Sequence, residues 1–159
     1  MRWNLIDGFQ VLKKGEYALA HKSFEGTEDF FAGHFPGEPL VPETLLIEMV
    51  AQTGGTLLGL GLDFGKEVIL AKIASAKFGR AAAPPCRLEI EAVIEEKREE
   101  GAWIAGTVRS QGEVAGEVRL LLVTMDAIDG AEGKRVVFTE DFLKHYRVYE
   151  VARMSQIGS

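Results

Sequence analysis

Apolar and polar positions change rhythm several times along this chain. Phe9–Leu12 and Tyr17–Phe24 are short extended apolar runs separated by Lys13-Lys14-Gly15, a turn signal that predicts a hairpin. Thr27-Glu28-Asp29 is placed to cap a short helical turn through Phe30 and Phe31. Two glycines and three prolines then fall between Gly33 and Pro42, which excludes helix and a regular central strand there. From Glu43 to about Leu60 the pattern predicts one long helix. Pro42 suits its first turn, and Glu43 places negative charge near the positive end of the helix dipole. Leu45, Leu46, Ile47, Met49, Val50, Ala51, Leu57 and Leu58 cover nearly every face, the mark of a helix buried on all sides. Gly54-Gly55 inside it costs about 1 kcal/mol per glycine relative to alanine, which close approach by a strand would explain.

After Gly61–Gly65 the period shortens. Val68–Phe78, Leu88–Glu96, Trp103–Arg109 and Val114–Met125 read as long strands, the last three with rough alternation. Gly101 and Ser110–Gly112 supply hairpin turns. A central apolar helix followed by antiparallel strands predicts an α+β domain with the helix wrapped by the sheet. Asp126–Gly133 reads as a polar linker, and Thr139–Ala152 as a terminal amphipathic helix with Thr139 as its cap. The expected organisation is a helix-in-sheet domain over residues 1–126 and a linker with a C-terminal helical extension over 127–159.

Composition narrows the classes. The 159 residues favour one domain, and 47% hydrophobic content is enough for a core. A net charge of −6 with no basic block gives no footprint for nucleic acid or an anionic membrane. Cys86 stands alone, so no internal disulfide forms and a reducing compartment, the cytoplasm, is expected. The N-terminal residues lack the apolar stretch of a signal peptide, and the apolar run near Leu45–Leu62 carries Glu48 and Gln52, as a buried helix rather than a membrane span would.

Chemistry concentrates in one stretch. His34 sits in Gly33-His34-Phe35-Pro36-Gly37, among residues that fix unusual backbone. Glu48 follows fourteen positions later on the helix, with Gln52 one turn beyond on the same face. A carboxyl group on so apolar a helix must pair, take up a proton or line a cavity. A neutral imidazole and a shielded carboxylic acid suit abstraction of a proton beside a thioester carbonyl and protonation of a departing β-hydroxyl. Free N–H groups at the helix start could hold the enolate-like oxygen. These residue types alone do not fix the reaction: a histidine taken alone is most often a hydrogen-bonded structural one, and a buried glutamate is often structurally paired. His21 and His145 read as packing or surface residues, Gly59, Gly61 and Gly65 form no dinucleotide fingerprint, and no metal-ligand cluster is visible.

Phe31-Ala32-Gly33-His34-Phe35-Pro36-Gly37-Glu38-Pro39-Leu40-Val41-Pro42, followed by Leu45-Leu46-Ile47-Glu48-Met49-Val50-Ala51-Gln52, closely resembles the signature of bacterial 3-hydroxyacyl-[acyl-carrier-protein] dehydratases, the FabZ/FabA group. Weaker similarity runs over roughly residues 5–125 and includes Leu70–Phe78. The resemblance implies a hot-dog fold, with His34 as base and Glu48 as acid, one from each subunit across a dimer interface. It further implies that Gly33, Phe35, Gly37, Glu43 and Gln52 contact substrate, that acyl carrier protein delivers the acyl group into an apolar tunnel, that dimers or trimers of dimers form, and that no metal or organic cofactor takes part. Two positions depart from the pattern. The family's Pro-Gly before the helix is here Pro42-Glu43, which keeps the backbone donor but adds a carboxylate beside it. The family's Pro-Gly-Asp is here Pro84-Pro85-Cys86, and Cys86 has no neighbouring base. The resemblance favours reversible dehydration of 3-hydroxyacyl thioesters, with an acyl-binding protein that has lost turnover through Glu43, or a hot-dog thioesterase, as the other readings.

Overall fold

The computed structural model describes residues 3–126 and 135–157. Apart from Asp126, the expected linker 126–133 lies outside the described residues. Strands β1 (Gly8–Lys13) and β2 (Tyr17–Phe24) form the predicted hairpin, with Gly15 at φ +78° in its turn. A short 3-10 turn (Asp29–Ala32) leads to helix α1 (Glu43–Gly61). Then come β3 (Glu67–Phe78), β4 (Cys86–Arg98), β5 (Gly101–Ser110) and β6 (Glu113–Met125), followed by α2 (Glu140–His145) and α3 (Val148–Ile157). The strands make one antiparallel sheet in the order β1-β2-β4-β5-β6-β3. Chain order and sheet order part at one place. The segment carrying α1 leaves β2 near one edge and delivers the chain to β3 at the opposite edge, so the helix lies across the concave face.

The glycines show how closely helix and sheet approach. A Cβ on Gly106 of β5 would come within 2.2 Å of Val50 Cγ1, and one on Gly54 of α1 within 2.8 Å of Ile104 Cγ2. Each surface gives up a side chain where the other inserts one. The expected close approach thus accounts for Gly54 but not Gly55, whose Cβ would meet only Val68 at 3.9 Å. Met49, Val50, Leu57, Leu88, Ile90, Ile104 and Leu120 are the completely covered centre. Helix α1 is not covered all round, however. Ile47, Glu48, Ala51 and Gln52 form a stripe that the single chain leaves half-open.

Two local expectations need correction. Glu28 of the Thr27-Glu28-Asp29 stretch stands at the cap position of the 3-10 turn, but its side chain does not cap it. Its carboxylate turns back to accept the N–H groups of Glu25 (3.1 Å) and Gly26 (2.8 Å). The terminal helix is two helices. Thr139 caps the first as expected, accepting the Phe142 N–H at 3.1 Å, but Arg147 adopts φ +51° and breaks the run. The break re-aims α3. Val148 and Ala152 are buried, and Ser155 Oγ accepts the Leu12 N–H of edge strand β1 at 2.9 Å. Just before the break, the Tyr146 hydroxyl donates to the Ile6 carbonyl at 2.9 Å, so both helices are tied to the N-terminal edge of the sheet.

Candidate active site

His34 lies just past the 3-10 turn, in a loop that closes on itself. Phe35 and Glu38 exchange backbone hydrogen bonds (3.0 and 2.9 Å), and the Leu40 N–H donates to the His34 carbonyl at 2.9 Å. Gly37 makes this closure possible at φ +78°, a conformation that side chains disfavour. The Phe35 ring, half exposed, stacks on the imidazole with centroids 4.1 Å apart. The imidazole Nδ1 is 3.0 Å from the Leu40 carbonyl oxygen. A carbonyl can only accept, so Nδ1 carries the proton in this contact, and the neutral ring keeps its lone pair on Nε2. The loop therefore holds the histidine in the tautomer a general base requires. One turn later, the Val41 N–H donates to the Ala82 carbonyl at 2.8 Å, which ties the start of α1 to the segment before β4.

Glu48 projects from the half-open stripe of α1. Its Oε1 accepts from Gln52 Nε2 at 2.9 Å. The same Nε2 donates to the Trp3 carbonyl at 3.0 Å, and Gln52 Oε1 accepts the Leu5 N–H at 3.1 Å. Gln52 thus has both amide protons engaged. It fastens the N-terminal segment to α1 and fixes one oxygen of Glu48, leaving the other without a hydrogen-bond partner among the described residues. Thr53 and Thr56, both buried, return their hydroxyls to the carbonyls of Met49 and Gln52 at 2.8 Å, so neither hydroxyl is orphaned.

Glu48 opens into a groove of about 290 Å³ between α1 and the β3 edge. Ala51, Gly55, Val68 and Leu70 form two of its sides, and Val137, Phe138 and Phe142 of the C-terminal extension form the third. Gly55 earns its place here: a larger residue would narrow the groove floor. The sequence predicts an amphipathic terminal helix from Thr139 but does not single out these three residues as groove lining. Nor does it single out Glu67. That side chain is 1% exposed, and its two oxygens accept the N–H groups of Val136 (3.0 Å) and Val137 (2.9 Å). A carboxylate at the head of an apolar strand was the available signal, but its partners lie some seventy residues away.

The predicted residues fall in two places. Glu48 and Gln52 are together in the groove, whereas Gly33, His34, Phe35 and Gly37 form the closed loop. No hydrogen bond or ion pair among the described residues joins His34 to Glu48, and His34 does not line the groove. Glu43 is half-buried in the first turn of α1 and is likewise not a groove residue. The remaining candidates stay peripheral. The Cys86 thiol is pushed up by burial and by the neighbouring Glu28 charge, away from nucleophile behaviour. His21 is held below its ordinary value by burial and by Arg87. Among the described residues there is no cluster of three or more His, Cys, Asp or Glu placed to hold a metal, and no helix is long and apolar enough to cross a membrane.

Comparison with known proteins gives likenesses of family and of fold. Residues 10–115 match the ApeI-like family, described as ApeI dehydratase. The chain is 36% identical over 123 residues to the 3-hydroxyacyl-[acyl-carrier-protein] dehydratase FabZ of Clostridium acetobutylicum, spanning 75% of this chain and 86% of that protein. It is 34% identical over 119 residues to the FabZ of Haemophilus influenzae strain PittEE, spanning 74% and 80%. Among solved structures, the dehydratase heterocomplex ApeI:P from Xenorhabdus doucetiae superposes with a TM-score of 0.56 at 24% identity, over 69% of this chain and 88% of that one. A hypothetical thioesterase with coenzyme A from Streptococcus pneumoniae TIGR4 gives 0.58 at 11% identity, over 74% and 86%. These structural likenesses are of fold, the hot-dog helix-in-sheet arrangement. The family match ends before the C-terminal extension begins.

Proposed function

The chain belongs to the FabZ/ApeI-like dehydratase family of hot-dog proteins, and from that premise we propose that it catalyses reversible dehydration of 3-hydroxyacyl-carrier-protein thioesters to trans-2-enoyl thioesters. The observation that carries this reading is the His34 tautomer. With Nδ1–H spent on the Leu40 carbonyl, Nε2 is free to take the proton from the carbon next to the thioester carbonyl. The electron pair released there forms the new double bond as the carbon–oxygen bond to the β-hydroxyl breaks. Glu48, oriented through one oxygen by Gln52, delivers a proton from the other, and the hydroxyl leaves as water. The thioester oxygen gains charge on the way. The first turn of α1 offers backbone N–H groups at Glu43 and Thr44 for which helix geometry supplies no partner.

His34 and Glu48 are not joined within one chain, and both the Glu48 stripe and strand β3 lie open at an edge. In this reading a second copy, in a dimer or a trimer of dimers, brings its His34 to Glu48. Acyl carrier protein presents the substrate, in the cytoplasm. The test is hydration of a crotonyl-carrier-protein thioester, followed through loss of the enoyl absorbance. His34→Ala and Glu48→Gln should each lose about 10²–10⁴-fold in rate while keeping native circular dichroism. A wild type that binds acyl chains but never turns over would replace this reading with that of an acyl-binding protein.

A further inference from the structure

We propose that the C-terminal extension is the acyl-length selector of this site, with Val137 and Phe142 as the selecting side chains and Glu67 as the latch that holds them in place. The inference rests on the proposed dehydration in one respect only, that the groove holding Glu48 receives the acyl chain. Three observations carry it. First, among the described lining residues Glu48 is the one polar side chain with an unengaged oxygen. The Gln52 amide protons are engaged with Glu48 and Trp3, and the Thr56 hydroxyl is returned to the helix, so beyond Glu48 the side-chain lining is apolar and suits a hydrocarbon tail. Second, the wall opposite α1 comes from residues beyond the family match: Val137 and Phe142 are half-buried and line the groove, while Phe138 behind them is buried against Phe64 at 4.9 Å. Third, the wall is fastened. Glu67, buried at the head of β3, accepts two backbone N–H groups from Val136 and Val137, and Phe138, Phe142 and Tyr146 run on as a ladder of ring contacts at 5.6 and 4.8 Å. Within one chain the groove measures about 290 Å³, and the extension bounds it on the side away from α1. A short acyl chain fits, and a long one meets the extension.

The experiment compares butenoyl, octenoyl and dodecenoyl carrier-protein thioesters with wild type, Phe142→Ala and Val137→Phe. Removing the Phe142 ring should raise kcat/KM for dodecenoyl relative to butenoyl by at least tenfold, and filling the groove at Val137 should depress octenoyl turnover by a similar factor with butenoyl little changed. Binding of the unreactive butanoyl- and dodecanoyl-pantetheine amides, measured by calorimetry, gives a second readout that does not need turnover. If wild type is inert yet Phe142→Ala selectively tightens the dodecanoyl amide, the selector stands and the dehydration reading falls. Glu67→Gln, which keeps the shape but weakens acceptance of the two N–H groups, should blur length discrimination in the same direction as Phe142→Ala. Unchanged ratios of both turnover and binding in folded Phe142→Ala and Val137→Phe would overturn the proposal.

Discussion

At the scale of single residues, the site is organised by hydrogen bonds that use up alternatives. Leu40 takes one nitrogen of His34, and Gln52 takes one oxygen of Glu48. In the proposed reaction Gln52 would act as a positioning residue. Gln52→Leu should lower kcat about tenfold, close to the worth of one hydrogen bond, with KM nearly unchanged; a rise in KM alone would assign Gln52 to substrate binding instead. Glu43, the departure from the family pattern, does not line the groove. Glu43→Gly should therefore leave kcat/KM within about threefold, and a gain of tenfold or more would place its carboxylate at the oxyanion. His21 carries the pH dependence. Its Nδ1 is buried without a partner, and burial, followed by the Arg87 charge, lowers its pKa from the ordinary 6.5. The unfolded chain takes up the proton first as pH falls. Stability from this residue is thus intact above about pH 6.5 and erodes below it, towards the lower folded-state value. Denaturant midpoints measured between pH 7.5 and 5 should show this loss, about pH 6.5 as the upper bound, and His21→Gln should flatten it. His34 and Glu48 stood out as candidates because a glycine–proline loop and an all-apolar helix made them conspicuous. The latch at Glu67 did not, since nothing local distinguishes a buried carboxylate from an exposed one at the head of a strand.

At the scale of elements, periodicity located every strand and the central helix, because each follows from which face is covered. Glycine reading went half-way: a strand side chain does crowd Gly54, while Gly55 keeps a groove open. The strand half of that fit, Gly106, gave no sign of itself in one sequence. Gly106→Ala would drive its Cβ to within 2.2 Å of Val50, and should cost about 1–3 kcal/mol in urea unfolding. An unchanged midpoint would mean that α1 rides more loosely on the sheet. The terminal helix was legible in composition and cap but not in its break. Arg147 has no propensity for positive φ; burial of Tyr146 on one side and of Val148 on the other imposes it. Arg147 also pairs with Glu150 across the break.

At the scale of the whole molecule, the proposed pairing of two copies has a surface to use. Strand β3 forms the sheet edge over twelve residues, and the middle of it is exposed. A long open edge next to a half-open helix stripe calls for a cover, and a second copy would supply both a strand and the missing His34. Hybrids test this directly. Refolding His34→Ala together with Glu48→Gln should recover roughly a quarter of wild-type activity, since half the dimers are mixed and each mixed dimer has one intact site. No recovery, from subunits shown to exchange, would confine the chemistry to one chain.

The Glu67 latch has a consequence for how the chain can change. Met125, at the end of β6, stands opposite Glu67 in the strand ladder, and Val136 hydrogen-bonds to the same residue's carboxylate. The two ends of the intervening stretch are therefore tethered to one point, whatever lies between. Added residues between Met125 and Val136 would lengthen a stretch whose ends are already together, at an entropic cost of only about 0.6 kcal/mol per doubling. A reporter peptide or affinity tag spliced between those two residues should therefore leave both the sheet and the aromatic wall in place, with an unchanged urea midpoint as the check.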